Sequence, residues 1–235
     1  MPAQPIGKRK TVKTFRFGGH ATALRPTLAP KILEVIELWS AIDAVLAATM
    51  ADFLKSEPEI AIDILNAIES HTARMAVLQA TAKATLPPPD FLLFDCTVAS
   101  LNAQRSTRNE FAHHIWGISD QLPNALLLID PRHLTRHIGE IKGWELRFKL
   151  QLTALPDLDR SRIFIWSETD LDEQVAVSKA SFERAILLST LVTQRFAGQE
   201  SDSRRQQLLS DPLVQLRIER ATKRSAPLTP QEAPP

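Results

Sequence analysis

Apolar residues return every three or four positions across "APKILEVIELWSAIDAVLAATMADFLKSEP", residues 29–58. Ile32, Val35, Ile36, Trp39, Ile42, Leu46, Met50 and Phe53 would then line one side of a helix. Pro58 predicts the start of a second helix that runs to about Leu86, with Ile62, Leu65, Ile68, Met75 and Leu78 on its apolar side. "LPPPD" at 86–90 is a break, because proline cannot continue the hydrogen-bond ladder. A third helix is expected from about Phe91 to Trp116, carrying Leu93, Val98, Leu101 and Phe111. Three long helices predict a bundle.

Beyond Gly117 the pattern changes. "NALLLIDP" is short, apolar and bounded by turn residues, so it reads as a strand, and "WELRFKLQL" (144–152) and "RIFIWSE" (162–168) read likewise. Together they predict a small antiparallel sheet beside the bundle. Between them, the Asp-Pro of "DPRHLTRHIGEI" is a helix-start signal. Thr169 and Asp172 have capping-box spacing and predict a long helix to about Phe196, and one more helix covers roughly 203–222. The expected organisation is a basic flexible arm over 1–29 and a single helical domain over 30–222. That domain carries a mixed strand and loop insert at 120–170, and a disordered Pro-rich tail covers 223–235.

Composition narrows the setting. Charged residues are 23% of the chain, hydrophobic ones 44%, and the formal net charge is +1, as in ordinary soluble proteins. The single Cys96 cannot form an intrachain disulfide, and no apolar run is long enough to span a bilayer. The start lacks the apolar run of a secretory signal, so the expected location is cytoplasmic, with no membrane partner. Charge is uneven: residues 1–30 hold Lys8, Arg9, Lys10, Lys13, Arg16 and Arg25 without an acid, whereas 31–100 hold ten acids and four bases. The seven glycines assemble neither a dinucleotide fingerprint nor a phosphate-binding loop, and no cysteine cluster exists for structural zinc. No cofactor and no metal are expected.

The most chemically pointed stretch is "RSTRNEFAHHIWG", residues 105–117, at the end of the third helix. Asn109 and His113 are four apart and share a helix face, so the amide could fix the tautomer of the imidazole. A histidine that moves a proton and an arginine that holds phosphate charge suit a phosphodiester. RNA brings its own nucleophile, the 2′-hydroxyl. The structural alternative is a polar set that caps helix carbonyls and links helices.

"RNEFAHHIWG" resembles the Arg-Asn-x-x-x-His signature of the HEPN superfamily, and the layout of residues 31–197 is similar as well. The resemblance implies a mainly α, HEPN-like helical bundle, with the small antiparallel β element inserted after the motif helix. It implies a homodimer in which the motifs of two subunits face each other. It also implies metal-independent endoribonuclease activity in a toxin, defence or stress-response setting, with RNA and an antitoxin or other partner protein as partners. Arg108 and His113 would be the catalytic pair, with Asn109 and His114 supporting them. His114 stands where the family commonly has a small residue. Other members have lost catalysis, and the second expectation is an inactive dimeric interaction or nucleic-acid-binding module.

Further residues are candidates for phosphate or RNA contact: Arg105 beside the motif, and Arg132, His133 and Arg136 on the next helix. His133 and His137 have the four-residue spacing of zinc ligands, but Leu134 stands where a metalloprotease carries its glutamate and two arginines flank the pair. The acids of "ETDLDE" fall in a first helical turn, where carboxylates stabilise exposed amides. The basic "SRRQQ" and "RIERATKR" lack interleaved aromatic residues to stack bases.

Overall fold

Unbroken helix-period hydrophobicity becomes helix. The computed structural model describes residues 4–9, 11–148, 157–199 and 202–225. These residues form a mainly helical chain with one small antiparallel sheet. Helix α1 (Ala29–Leu54) buries Ile32, Val35, Trp39, Ile42, Leu46, Met50 and Phe53 at the predicted steps. It ends where Lys55 takes a left-handed φ of 53° and the Ser56 amide reaches back to the Ala51 carbonyl at 3.1 Å, a closure that satisfies end carbonyls.

The expected second helix is two: α2 (Pro58–Asn66) and α3 (His71–Thr85). The apolar period runs on through the join, but the Ser70 hydroxyl accepts from the Ala73 amide and starts a new helix. Helix α4 (Pro88–His113) begins earlier than predicted, because proline in a first turn lacks only an amide that would have no partner there. It also stops earlier: Trp116 lies in a strand rather than in the helix.

The chain divides into two compact units: Met1–Leu38 with Ser106–Lys179, and Trp39–Arg105 with Ala180–Pro235. The division falls within α1, α4 and the long helix α6 (Glu168–Phe196).

The first unit holds the sheet, in the order β1-β5-β4-β3-β2, with β1 Gln4–Pro5, β2 Arg16–Phe17, β3 Ile115–Ile118, β4 Ala125–Ile129 and β5 Ile163–Ser167. All pairings are antiparallel. The N-terminal segment, expected as a flexible arm, thus supplies both edge strands, because Ile6 and Val12 bury themselves against Leu127, Ile129 and Ile165. All five β4 residues are buried, which requires cover on both faces of the sheet.

Helix α5 (Pro131–Phe148) starts at the Asp-Pro signal, with the Asp130 carboxylate accepting the Arg132 amide at 2.8 Å. It runs on through Trp144–Phe148, where a strand was expected; the remainder of that expected strand, 149–152, lies outside the described residues. Leu134, Ile141 and Trp144 are half-buried at helical spacing, and this period prevails over the alternation of "WELRF". The capping box of α6 is Ser167 with Asp170, two residues before the predicted pair.

The second unit is helical. Phe53 packs edge-on against Phe94 and Phe196. The last expected helix is again two, α7 (Asp202–Leu209) and α8 (Pro212–Ser225). Asp211 separates them, accepting from the Leu213 and Val214 amides while pairing with buried Arg184 at 2.9 Å. Of the tail expected over 223–235, residues up to Ser225 are helical and 226–235 lie outside the described residues.

Strand β2 crosses Gly117 closely: a Cβ there would meet the Phe17 ring at 2.5 Å and the Arg16 carbonyl oxygen at 2.6 Å. Backbone cannot yield as a side-chain tip can. Gly117→Ala is therefore expected to destabilise the protein by about 1–3 kcal/mol, the usual cost of overpacking, in urea unfolding. An unchanged midpoint would mean that β2 does not sit on β3 in this way.

Candidate functional site

The motif lies at the end of α4, in the first unit. Phe111 is buried and packs edge-on against Trp116 at 5.2 Å and Trp166 at 4.7 Å between ring centroids. The Trp116 indole donates to the Phe111 carbonyl at 3.2 Å, satisfying one of the carbonyls that a helix end leaves open. Phe111 is thus part of the chain's own core, not a surface held for a second subunit.

Helix geometry holds through His113, and the His114 amide still reaches the Glu110 carbonyl at 2.8 Å. His113 is exposed, with no hydrogen-bond partner among the described residues. Asn109 does not bond it; the amide oxygen accepts from Arg108 Nη1 at 3.3 Å instead. Arg108 and His113 are five residues apart, so regular helix rotates them about 140° from each other. His114 is half-buried, and its Nδ1 is buried without a partner, as is Arg108 Nε.

His114 belongs to a second group of residues. The Asp130 carboxyl is held below the usual carboxylate range, first by the Arg132 amide and then by the positive charge of Arg132, His114 and His133. Asp130 therefore lies within electrostatic reach of both the end of α4 and the start of α5. Arg132 itself is exposed, 3.8 Å from Asp130.

One turn on, His133, Arg136, His137 and Glu140 line a cavity of about 270 Å³ together with Asp157, Leu158, Asp159 and Arg162. Asp159 lies below its ordinary value because Ser161 donates to it through both hydroxyl and amide, at 2.6 and 3.0 Å. His137 Nδ1 is 3.9 Å from Glu140. No group of three His, Cys, Asp or Glu side chains among the described residues is placed to hold a metal ion. Of the three residues expected as an anion-binding face, His133 and Arg136 line this cleft and Arg132 does not. The cleft also contains three carboxylates. Glu140 is on α5 itself, whereas Asp157, Asp159 and Arg162 reach α5 only through the tertiary fold, which no local spacing announces.

Arg105 is occupied elsewhere. In the second unit it forms a two-pronged ion pair with Asp43 at 2.6 and 2.7 Å and sits over the Trp39 ring. Its side chain is 12% exposed, so its charge is neutralised and largely hidden from a polyanion. Beside it, His71 contacts Asn102 at 3.2 Å. Asp43, His71 and Arg74 share a cavity of about 250 Å³, a polar cluster that sequence spacing did not announce.

These features describe a mainly helical chain whose motif histidine is open at a helix end and whose helix α5 carries a mixed-charge cleft in the same unit. The chain matches no family model, no curated protein and no solved structure.

His71 is held below its ordinary value of 6.5, chiefly by burial and then by the Arg105 charge. Between that lowered value and 6.5 the unfolded chain binds more protons than the folded one, so stability rises with pH there and is lost as pH falls. The urea midpoint should therefore drop between about pH 7.5 and about pH 5.5, and His71→Gln should flatten part of that slope. Parallel pH curves for the two proteins would show that His71 is not the group responsible.

Proposed function

We propose that this chain is a metal-independent endoribonuclease of HEPN type, acting as a homodimer in a toxin, defence or stress-response setting. The observation that carries the reading is His113: an exposed imidazole without a partner among the described residues, on the last turn of a helix anchored by Phe111. Arg108, five residues back, is steadied by Asn109. His113 moves the proton of the RNA 2′-hydroxyl, and Arg108 stabilises charge on the phosphate. Because regular helix separates the two on one chain, Arg108 of one subunit works with His113 of the other across a two-fold axis. His114 is a secondary contact, and its charge helps to hold the Asp130 carboxyl below its ordinary value.

The same angular separation favours a second reading, a catalytically silent HEPN-like dimeric module that binds nucleic acid or a partner protein such as an antitoxin.

Activity separates the two. His113→Ala or Arg108→Ala should lower RNA cleavage by about 10²–10⁴-fold with circular dichroism unchanged, and His114→Ala far less, with Asn109→Ala between. Products should end in a 2′,3′-cyclic phosphate, and EDTA should have no effect. Purified dimer that leaves RNA intact supports the module. Variants that unfold would mark both residues as structural, and a strictly monomeric protein would remove the shared active centre.

A further inference from the structure

We infer that the cleft on α5 is a nucleobase-recognition subsite, built for guanine. The inference rests on the nuclease reading for its purpose, but not for its binding chemistry.

The cleft's charge balance selects the ligand class. Arg136 and Arg162 face Glu140, Asp157 and Asp159 in one cavity, with the two histidines adding at most two further charges. A bare phosphate would meet three carboxylates there. A base edge that both donates and accepts meets what it needs. At about 270 Å³ the cavity is below the roughly 300–1,000 Å³ of drug-sized ligand sites, a scale that fits a base rather than a whole nucleotide.

Some of these groups are already occupied. Asp159 is held by Ser161 and lies 3.7 Å from Arg162, and Glu140 stands near His137. Arg136 and Asp157 have no such ion pair among the described residues. They supply a fork of donors and a two-oxygen acceptor. Guanine presents the complement: O6 and N7 accept from an arginine, while N1–H and the N2 amino group donate to a carboxylate. Adenine offers no such pair of donors to Asp157. Leu158, half-buried against the sheet core, gives the ring an apolar surface.

Titration calorimetry on the full chain tests this with guanosine 5′-monophosphate, adenosine 5′-monophosphate and inorganic phosphate. The guanine nucleotide should bind about tenfold or more tightly than the adenine one, and inorganic phosphate should not displace it. Asp157→Asn and Arg136→Ala should each erase that preference, whereas His113→Ala should keep it. RNA cleavage should fall next to guanine, and the Asp157→Asn protein should cut without that bias. Equal binding of both nucleotides, displacement by phosphate, or no nucleotide binding would overturn the subsite. Guanine-selective binding without any RNA cleavage would leave the subsite standing and remove only the nuclease reading. Should Asp157→Asn unfold, Arg136→Ala, at an exposed helix position, carries the test.

Discussion

The contact on which the chemistry of this chain depends is the clasp at the end of α4. Phe111 is held between Trp116 and Trp166, and the Trp116 indole closes onto the Phe111 carbonyl. Helix ends fray because their last carbonyls lack partners. Here the strand that follows returns a donor to one of them, and two large rings remove the apolar side of the turn from water. The helix therefore stays regular through His113, and the direction in which that imidazole leaves the chain is set by the core beneath it. Gly117 belongs to the same segment, since only a residue without a side chain leaves room for the Phe17 ring and the Arg16 carbonyl where β2 pairs with β3.

A second constraint is how the positive charge is allocated. In the sequence every arginine reads alike, yet the fold divides them. Arg105 is consumed by Asp43, Arg184 by Asp211, and Arg205 by Asp90. A buried arginine stripped of its carboxylate would be costly, so these pairs fix helices in the second unit rather than offering charge to a ligand. Among the described residues Arg108 is bonded to its neighbour's amide alone, and Arg136 lines an open cleft. Candidate contacts for a polyanion are thus decided less by local basicity than by which carboxylate comes to rest nearby.

The helices were legible because their apolar period is long and unbroken, as in α1 and α6. The joins were not. Ser70 and Asp211 split helices by capping new ones inside stretches whose hydrophobic period continues, so the split shows only in the hydrogen bonds. The strand Ile115–Ile118 was hidden because Trp116 fits both the end of a helical stripe and a buried strand position. The edge strands were hidden by two-residue length and basic neighbours; what holds them is the burial of Ile6 and Val12, which depends on partners more than a hundred residues away. Of the candidate site, the spacing of the motif and of His133 with His137 could be read directly. Asp157 and Arg162 could not, because no local rule joins them to α5.

Helix geometry also limits what the motif can be. Arg108 and His113, five residues apart on an undistorted helix, face about 140° away from each other, and the clasp at Phe111 prevents the unwinding that would bring them together. One copy of the helix therefore presents the His113 imidazole on one side and the Arg108 guanidinium on another. The proposed homodimer answers this separation by pairing Arg108 of one subunit with His113 of the other. His114 is turned a further 100° and is half-buried, with its Nδ1 shielded from solvent. The adjacent histidines therefore do not duplicate each other: one is open at the helix end, and the other is drawn into its own chain.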